Sequence, residues 1–251
     1  MKFAISILFT MLSGLAFAGS LPAKITLATT EWCPYTCEHS SKGPGFVAEY
    51  ITEILKKHKI ELVVRSLPWS RAIEMAKAGT VDGILTAAAS EMEGLKPTTT
   101  PTGTYNVCFY TSPKSKWTYK DASSLKDGRF GIISGYSYGE PMDAFIANKE
   151  NSSRLVVKHA KDGLLTLLEM VKAQRFDATL DDRNVVESAA RERGIKMSEL
   201  RSAGCLGDIP YFMAFSPKVG SADQVIKVLN DELGRPENKA SYQKLLERYT
   251  K

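Results

Sequence analysis

The sequence predicts an α/β protein made of two lobes. Strand-like and helix-like segments alternate in two rounds, separated by a Pro/Thr-rich stretch at residues 97–103. Each round has its own strands and amphipathic helices, and hence its own small core. Two extended segments, at 105–111 and 211–216, lie where the chain would cross between the lobes. The pattern therefore predicts two hinge strands and a cleft between the lobes; a single doubly wound sheet is the alternative.

The first round has the pattern of a βαβαβ unit. Apolar residues such as Val47, Ile51 and Ile54 recur at helical spacing in its first helix. Its elements are a strand at 24–29, a helix at 46–58, a strand at 60–65, a helix at 69–78 ended by Gly79, and a strand at 81–85. Such units form parallel sheets with right-handed crossovers, and ligands bind beyond the carboxyl ends of their strands.

The second round repeats the alternation. Its elements are a strand at 130–133, a helix at 138–148, a strand at 154–158, a helix at 163–173, a strand at 177–180 and a helix at 183–193. Two closing helices are predicted at 222–233 and 240–249. We therefore expect lobe 1 to comprise residues 19–103 and 211–251, and lobe 2 to comprise residues 104–210.

The N-terminal residues have the pattern of a secretory signal peptide. Lys2 precedes an almost wholly apolar run at 3–17, and Ala-Phe-Ala at 16–18 before Gly19 is a small-x-small cleavage site. The run is shorter than the about 20 apolar residues that span a bilayer. We expect a signal peptide at 1–18 that is cleaved to release a soluble protein into the bacterial periplasm. An uncleaved anchor or a buried first helix is the alternative.

The charge composition argues against a nucleic-acid partner. The chain has 33 Lys and Arg against 28 Asp and Glu, a formal net charge of +5. The basic residues are interspersed with acidic ones, as on solvated helix faces, and no basic tract with interleaved aromatic residues occurs in the sequence.

Four cysteines form an even set, as expected of an oxidising compartment. Cys33 and Cys37 are four residues apart in a turn that contains proline, so local pairing is geometrically easy. Cys108 would then pair with Cys205 and tie the first crossing strand to the loop that leads into the second. Two disulfide bonds are therefore expected.

The motifs of metal binding and catalysis are missing from the sequence. The three histidines are scattered, and the Cys33 pair has CxxxC spacing, not the CxxC of redox dithiols. No Gly-x-Ser-x-Gly elbow, phosphate-binding Gly-rich loop with lysine, or His-Glu-x-x-His occurs. We therefore expect a binding protein without cofactor or metal, and keep an enzyme with an ordinary-looking cleft as the alternative.

Several motifs follow one another along the chain: Trp-Cys-Pro-Tyr at 32–35, Gly-Phe-Val-Ala-Glu-Tyr at 45–50, Pro-Trp-Ser-Arg-Ala at 68–72, Gly-Thr-Val-Asp-Gly at 79–83, the strand and turn at 131–139, the Asp-Ala strand at 176–181 and the return at 211–218. In this order they resemble the periplasmic solute-binding proteins of family 3, the type II "Venus flytrap" receptors of polar amino acid ABC transporters. Each motif is weak alone, and together they cover essentially the whole chain after residue 18. The resemblance implies a monomer that delivers a small polar solute to an ABC permease.

One departure from the family concerns the substrate. A Thr-x-x-Arg segment after the third strand typically binds the α-carboxylate of the amino acid, whereas here Thr86 is followed at 87–93 by residues without arginine. Thr86 remains a candidate ligand contact, and an amino acid or a related compound remains the expected solute class. The alternatives are an enzyme of the same fold, such as one resembling cyclohexadienyl dehydratase, and a periplasmic sensing protein.

Aromatic residues of lobe 1 are the first candidates for ligand contact. Trp32, Tyr35 and Trp69 lie at strand ends or at a helix start, where their rings could line the cleft. Core packing is the competing interpretation of each. Arg71 could replace the missing arginine or merely lie on the surface of its helix.

In lobe 2, the candidates lie at turns between strands and helices. Tyr136 and Ser137 lie on such a turn, where a helix N-terminus attracts anions, and Ser137 with Glu140 also fits a capping box. Asp181 corresponds to the position where the family holds a ligand ammonium, and a helix N-cap is its alternative role. Glu49 and Glu91 are weaker candidates.

Overall fold

A computed structural model describes residues 20–251, apart from the side chains of residues 160 and 161. The signal peptide predicted at 1–18 lies outside the described residues. Within 20–251, no helix is both long enough and apolar enough to cross a membrane.

The described chain alternates strands and helices as predicted. The strands are β1 Lys24–Thr29, β2 Glu61–Ser66, β3 Gly83–Ala87, β4 Lys96–Pro97, β5 Gly103–Thr111, β6 Phe130–Ile133, β7 Leu155–Lys158, β8 Ala178–Asp182 and β9 Arg201–Phe215. The helices are α1 Phe46–Lys57, α2 Trp69–Ala78, α3 Met142–Ala147, α4 Ala160–Lys172, α5 Arg183–Glu192, α6 Ala222–Leu233 and α7 Pro236–Thr250.

The strands follow the order β2-β1-β3-β9-β5-β8-β6-β7, with β4 paired to β9. β1 is parallel to β2 and β3, and β6 is parallel to β7 and β8. The antiparallel pair of β5 and β9 joins these two parallel halves. We use "lobe 1" for β1–β4, α1, α2, α6 and α7, and "lobe 2" for β6–β8 and α3–α5. The predicted two-lobed α/β fold with two crossing strands is confirmed.

The two predicted boundaries between the lobes lie opposite each other on the crossing strands β5 and β9. Gly103, at the end of the first predicted segment of lobe 1, pairs with Tyr211, where the chain was expected to return to that lobe. The boundaries themselves remain predictions.

Amphipathic helices cover the sheet of each lobe. The apolar residues of α1 recur at helical spacing, and Val47, Ile51 and Ile54 are almost fully buried. Burying each such side chain contributes about 1.5–3 kcal/mol to folding. In lobe 2, Leu167, Leu168 and other apolar residues of α4 are buried in the same way. The helices of each lobe are therefore held against its sheet by a buried apolar face.

Aromatic rings fill the space where the lobes meet the crossing strands. Trp32 meets Tyr105 of β5 and Tyr211 of β9 edge-on, with ring centres 5.3 and 6.3 Å apart. Tyr35 also meets Tyr211 edge-on at 5.8 Å. Such pairs contribute about 0.5–1.5 kcal/mol each beyond the area that they bury. The crossing region is therefore a packed aromatic cluster.

Three elements differ substantially from the sequence prediction, and one of them is α7, which begins at Pro236 and not at 240. β9 begins at Arg201, not at 211, because Gly204, Gly207 and Pro210 interrupt the residue pattern that marks a strand. α3 begins only at Met142. The side chain of Asp143 accepts the backbone N–H groups of residues 138 and 139, and this holds the preceding residues in a turn.

Both expected disulfide bonds are present. Cys33 is bonded to Cys37, and Cys108 to Cys205, with S–S distances of 2.11 and 2.06 Å. The expectation that Cys205 lies in a loop is wrong, because it lies within β9 directly opposite Cys108 of β5. The second bond therefore joins the two crossing strands directly, on the lobe 2 side of the Gly103 and Tyr211 pair.

Candidate functional site

A small cavity lies between the lobes, at the carboxyl ends of parallel strands from both. We call it the inner cavity. Its volume is about 40 Å³. Its lining residues are Thr30, Trp32, Trp69, Thr86, Glu91, Tyr105, Val107, Tyr136, Ser137, Tyr138 and Asp181. This is the position at which α/β sheets of this kind bind ligands.

Most of the residues chosen from the sequence lie at the inner cavity. Those that line it are Trp32, Trp69, Thr86, Tyr136, Ser137 and Asp181. Tyr35 lies behind Trp32, with the two rings stacked 4.0 Å apart, and supports the indole without lining the cavity. That the lining residues contact a solute remains a prediction.

Arg71 lies away from the inner cavity. Its guanidinium is 3.3 Å from Glu74, and its side chain is 61% exposed. The buried face of α2 is formed by Trp69, Ala72 and neighbouring residues, so Arg71 lies on the solvent side of the same helix. The structure therefore does not place Arg71 where it could replace the missing carboxylate ligand. Glu49 is also elsewhere, bonded to the C-terminal residues 248 and 249.

Trp32 is positioned by a tight loop after β1. The backbone N–H of Trp32 donates to the carbonyl of Thr36 at 2.9 Å, and the Thr36 hydroxyl donates to the carbonyl of Thr30 at 2.8 Å. The disulfide bond between Cys33 and Cys37 closes the same turn. The indole is thereby held over the cavity.

The turn after β6 does not form the capping box predicted for Ser137 and Glu140. The hydroxyl of Ser137 donates to Asp143, whose carboxylate also accepts the N–H groups of Tyr138 and Gly139, at 2.8 and 3.2 Å. The carboxylate of Asp143, and not the hydroxyl of Ser137, therefore accepts backbone N–H groups at this turn.

The alternative role proposed for Asp181, a helix N-cap, belongs to its neighbour. Asp182 accepts the N–H groups of Asn184 and Val185 at the start of α5, at 2.8 and 3.4 Å. The side chain of Asp181 faces the inner cavity instead and is only 4% exposed.

Polar contacts join the two lobes across the inner cavity. The indole N–H of Trp32 donates to Asp181 at 3.0 Å, and the backbone N–H of Ser137 donates to Glu91 at 3.1 Å. The hydroxyl of Ser90 donates to that of Ser137 at 2.9 Å. The protein is therefore in a closed conformation, in which groups of one lobe satisfy groups of the other.

Glu91 is the lining residue that sequence reasoning undervalued most. It follows β3 and accepts the N–H groups of Ala88 and Trp69, both at 2.7 Å, in addition to that of Ser137. Burial raises its pKa to about 7, and the charge of Asp143 adds to the increase, while the three donors oppose it. No local sequence pattern could reveal this position, because it depends on how the segment after β3 packs against α2.

Asp181 has a similar electrostatic environment in lobe 2. Burial raises its pKa to about 7, the neighbouring Asp182 adds to the increase, and the donors from Trp32 and the Asp182 backbone oppose it. A carboxyl group whose pKa is raised in this way keeps its proton up to a higher pH than an exposed carboxyl group does.

The inner cavity combines two carboxyl groups with aromatic walls. The rings of Trp32, Trp69, Tyr105 and Tyr136 line it. Among its lining residues, all within 20–251, none is a lysine or an arginine. The site thus offers acceptors and aromatic faces without a formal positive charge.

A larger space, the outer cleft, lies on the other side of Trp32. Its volume is about 520 Å³, within the range of small-molecule sites. It is lined by the loop at 31–42 of lobe 1 and by residues of α4 and α5 in lobe 2. The outer cleft is the larger of the two spaces, but the inner cavity lies at the strand ends, where polar groups of both lobes converge. We therefore take the inner cavity as the centre of the site and the outer cleft as its extension.

The Trp32 contact leads to a prediction for the empty protein. The substitution Trp32→Phe removes the indole donor and leaves the buried Asp181 with one donor fewer. Hydrogen bonds to charged groups contribute about 1.5–3 kcal/mol, so the equilibrium should move toward an open form by about that amount. Small-angle X-ray scattering should show a larger radius of gyration.

Trp117→Phe is the matched control for this substitution. Its indole also donates a hydrogen bond, at 3.1 Å to the carbonyl of Ser124, but both residues lie between β5 and β6 and do not bridge the inner cavity. It should leave the radius of gyration unchanged. Equal scattering from Trp32→Phe and the wild type would contradict the assignment of the contact as an interlobe bond.

Comparison with solved structures identifies the fold. A histidine kinase sensor domain with similarity to periplasmic binding proteins superposes with a TM-score of 0.74 at 13% identity, covering 92% of this chain and 96% of that one. An ancestral arginine-binding protein bound to arginine gives 0.73 at 14% identity, covering 91% and 99%. The chain has the periplasmic-binding-protein fold.

A third protein with the periplasmic-binding-protein fold comes from a named transport system. It is the periplasmic binding protein of an arginine transport system from Legionella pneumophila, with a TM-score of 0.67 at 15% identity, covering 90% of this chain and 99% of that one. The sequence matches no family model and no curated protein. At these identities the likeness shows the fold and leaves the solute open.

Proposed function

We propose that the protein is a periplasmic solute-binding protein that captures one small polar solute between its lobes and delivers it to an ABC permease. The observation that carries the proposal is the inner cavity, where strand ends of both lobes bring acceptors and aromatic rings together. The fold supports it, because neighbours of this fold include an arginine-binding protein and a transport-system binding protein.

Closure around a solute follows from the size of the inner cavity. A volume of about 40 Å³ accommodates a water molecule or two, not a metabolite. A solute must therefore enter an open form and replace contacts such as those of Trp32 with Asp181 and of Glu91 with Ser137. It stabilises the closed form only by the contacts that it gains there.

Ligand sensing is the second candidate, favoured by one observation. The histidine kinase sensor domain covers nearly the whole chain at a TM-score of 0.74. The binding event would be the same, and the closed form would be recognised by a membrane receptor instead of a permease. Co-purification with membranes that contain either partner separates the two roles.

Isothermal titration calorimetry against a panel of small polar metabolites tests the proposed capture. We expect one compound class to bind with a stoichiometry of one. Tyr136→Leu, which alters the wall of the inner cavity, should weaken binding at least tenfold. Tyr119→Leu, which alters a ring that is stacked on Phe109 and does not line the inner cavity, is the control and should leave the affinity unchanged. Binding of no compound in the panel would refute the proposal.

Export is part of the same proposal. We expect the protein purified from the periplasm of a producing bacterium to begin at Gly19, as N-terminal sequencing can show. A mature protein that retains residues 1–18 would contradict cleavage and would leave the binding proposal intact.

A further inference from the structure

We propose, as an extension that rests on the proposed function, that the inner cavity binds the ammonium group of a small organic amine that carries no α-carboxylate. The inference rests on three features of the cavity. They are its charged side chains, the hydrogen bonds that its donors make, and its aromatic walls.

The first step concerns charge. Glu91 of lobe 1 and Asp181 of lobe 2 both line the inner cavity, and they are its only acidic or basic lining residues within 20–251. Ionised carboxylates accept hydrogen bonds and donate none, whereas a primary ammonium has three donors and no acceptor. The ammonium group of an organic amine therefore finds a hydrogen-bond acceptor in either lobe.

The second step concerns anions, for which the cavity offers few hydrogen-bond donors. The strand-to-helix turn after β6 presents the backbone N–H groups of Ser137, Tyr138 and Gly139, the kind of site at which an anion binds. The first donates to Glu91, and the other two donate to Asp143. A solute that replaces the contact of Glu91 with Ser137 releases only the Ser137 donor, because Asp143, within lobe 2, keeps the other two.

An α-carboxylate would also be repelled. It would lie beside two acidic side chains, without an arginine or lysine among the described lining residues to balance it. Burying such a charge without a partner is costly. An amine that lacks the carboxylate avoids this cost and, conversely, supplies the missing positive charge.

The third step concerns the walls. Trp32, Trp69, Tyr105 and Tyr136 present aromatic rings to the cavity. A cation over such a ring is attracted by the negative face of the π-system, most strongly with tryptophan. The aromatic walls and the two carboxylates therefore both favour a cation.

The outer cleft provides space for the remainder of the molecule. Trp32 lines both spaces, so the outer cleft lies next to the inner cavity with this side chain between them. The outer cleft holds four acidic residues, Glu31, Glu38, Asp162 and Glu192, against the basic residues Lys42 and Arg191 and the histidine His39. A second ammonium group at the far end of the amine is therefore compatible with its lining.

Calorimetry at pH 7.5 with matched pairs of compounds tests the inference on the mature protein with its disulfide bonds intact. The pairs are putrescine with ornithine, cadaverine with lysine and agmatine with arginine, in which the two members differ by the α-carboxylate. We expect at least one of these amines to bind, and to bind at least tenfold more tightly than its amino acid partner.

Other results separate this inference from the proposed function. Tighter binding of an amino acid than of its amine partner, or binding of an organic anion in place of all three amines, would overturn the inference and leave solute capture intact. Binding of none of the six compounds and of nothing in the wider metabolite panel would overturn both.

Neutral substitutions of nearly the same shape locate the contact. Glu91→Gln and Asp181→Asn should each weaken amine binding at least tenfold. Glu74→Gln is the control, because Glu74 is an exposed acidic residue of α2 that pairs with Arg71 outside the cavity. Circular dichroism establishes that each variant is folded. If a cavity variant does not fold, the matched pairs of compounds still decide. An unchanged affinity in both folded cavity variants would overturn the inference.

Discussion

Raising the pH from 5 to 8 is expected to open the empty protein. In the closed form, burial raises the pKa values of Glu91 and Asp181 to about 7, from ordinary values of 4.5 and 3.8. In an open form water reaches both groups and their pKa values return toward the ordinary range. Each pKa unit corresponds to about 1.4 kcal/mol. The two groups together therefore change the balance between closed and open forms by several kcal/mol.

The direction of this pH effect depends on whether the closed or the open form binds protons more tightly. Below about pH 4 both groups are protonated in either form, and their contribution to closure is fully present. As the pH rises toward 7, the open form loses protons that the closed form keeps, so closure becomes less favourable. The contribution is lost once the pH has passed about 7. Asp143 and Asp182, whose negative charges face the two groups, act in the same direction.

Pulsed electron paramagnetic resonance can measure this opening. Spin labels at Lys56→Cys on α1 and Lys149→Cys in lobe 2 occupy exposed positions, and the four native cysteines are held in disulfide bonds. The fraction of the longer interlobe distance should increase at least tenfold between pH 5 and 8. The double variant Glu91→Gln with Asp181→Asn should lose most of this dependence. An equal pH response in the double variant would show that other groups control the opening.

Loss of the bond between Cys108 and Cys205 is expected to destabilise the protein by about 4–5 kcal/mol. The bond closes a loop with a sequence separation of 97, and the loss of chain entropy in the unfolded state grows with loop length. The bond also joins β5 to β9, the two strands through which the lobes are connected. Urea denaturation of the double variant Cys108→Ala with Cys205→Ala measures the change in the free energy of unfolding.

The second disulfide bond provides the internal control. The bond between Cys33 and Cys37 has a sequence separation of only 4, and the same relation gives about 2 kcal/mol for its removal. Replacing both of these cysteines by alanine should therefore cost less than half as much. Equal costs for the two double variants would contradict the dependence of the stabilisation on loop length.

Much of the fold could be predicted because it is encoded locally. α2 begins at Trp69 and ends before Gly79, which adopts the left-handed conformation that glycine favours. β1 and α6 were predicted with their observed bounds, because the spacing of their apolar residues marks them as a strand and a helix. The first half of β9 escaped prediction because its pairing with β5 depends on distant residues, including the partners of a disulfide bond, and not on local pattern.

The site was predictable where it depends on topology. Trp32, Tyr136 and Asp181 follow or end parallel strands, and the carboxyl ends of such strands meet at one edge of a sheet. Glu91 and Tyr105 were undervalued or missed, since their positions depend on packing between segments that are distant in sequence. Arg71 was chosen because its guanidinium could bind a carboxylate. The structure shows that other residues of α2 face the core, so Arg71 lies on the solvent side of the helix.

The three tryptophans allow the most direct test of the central claim, that one solute binds between the lobes. Two of them, Trp32 and Trp69, line the inner cavity, and Trp117 donates to the Ser124 carbonyl away from it. In a ¹H–¹⁵N spectrum of the indole groups, a titrated solute should shift the resonances of Trp32 and Trp69 with one common affinity and leave that of Trp117 in place. A solute that binds and leaves the Trp32 and Trp69 resonances unchanged would contradict the account.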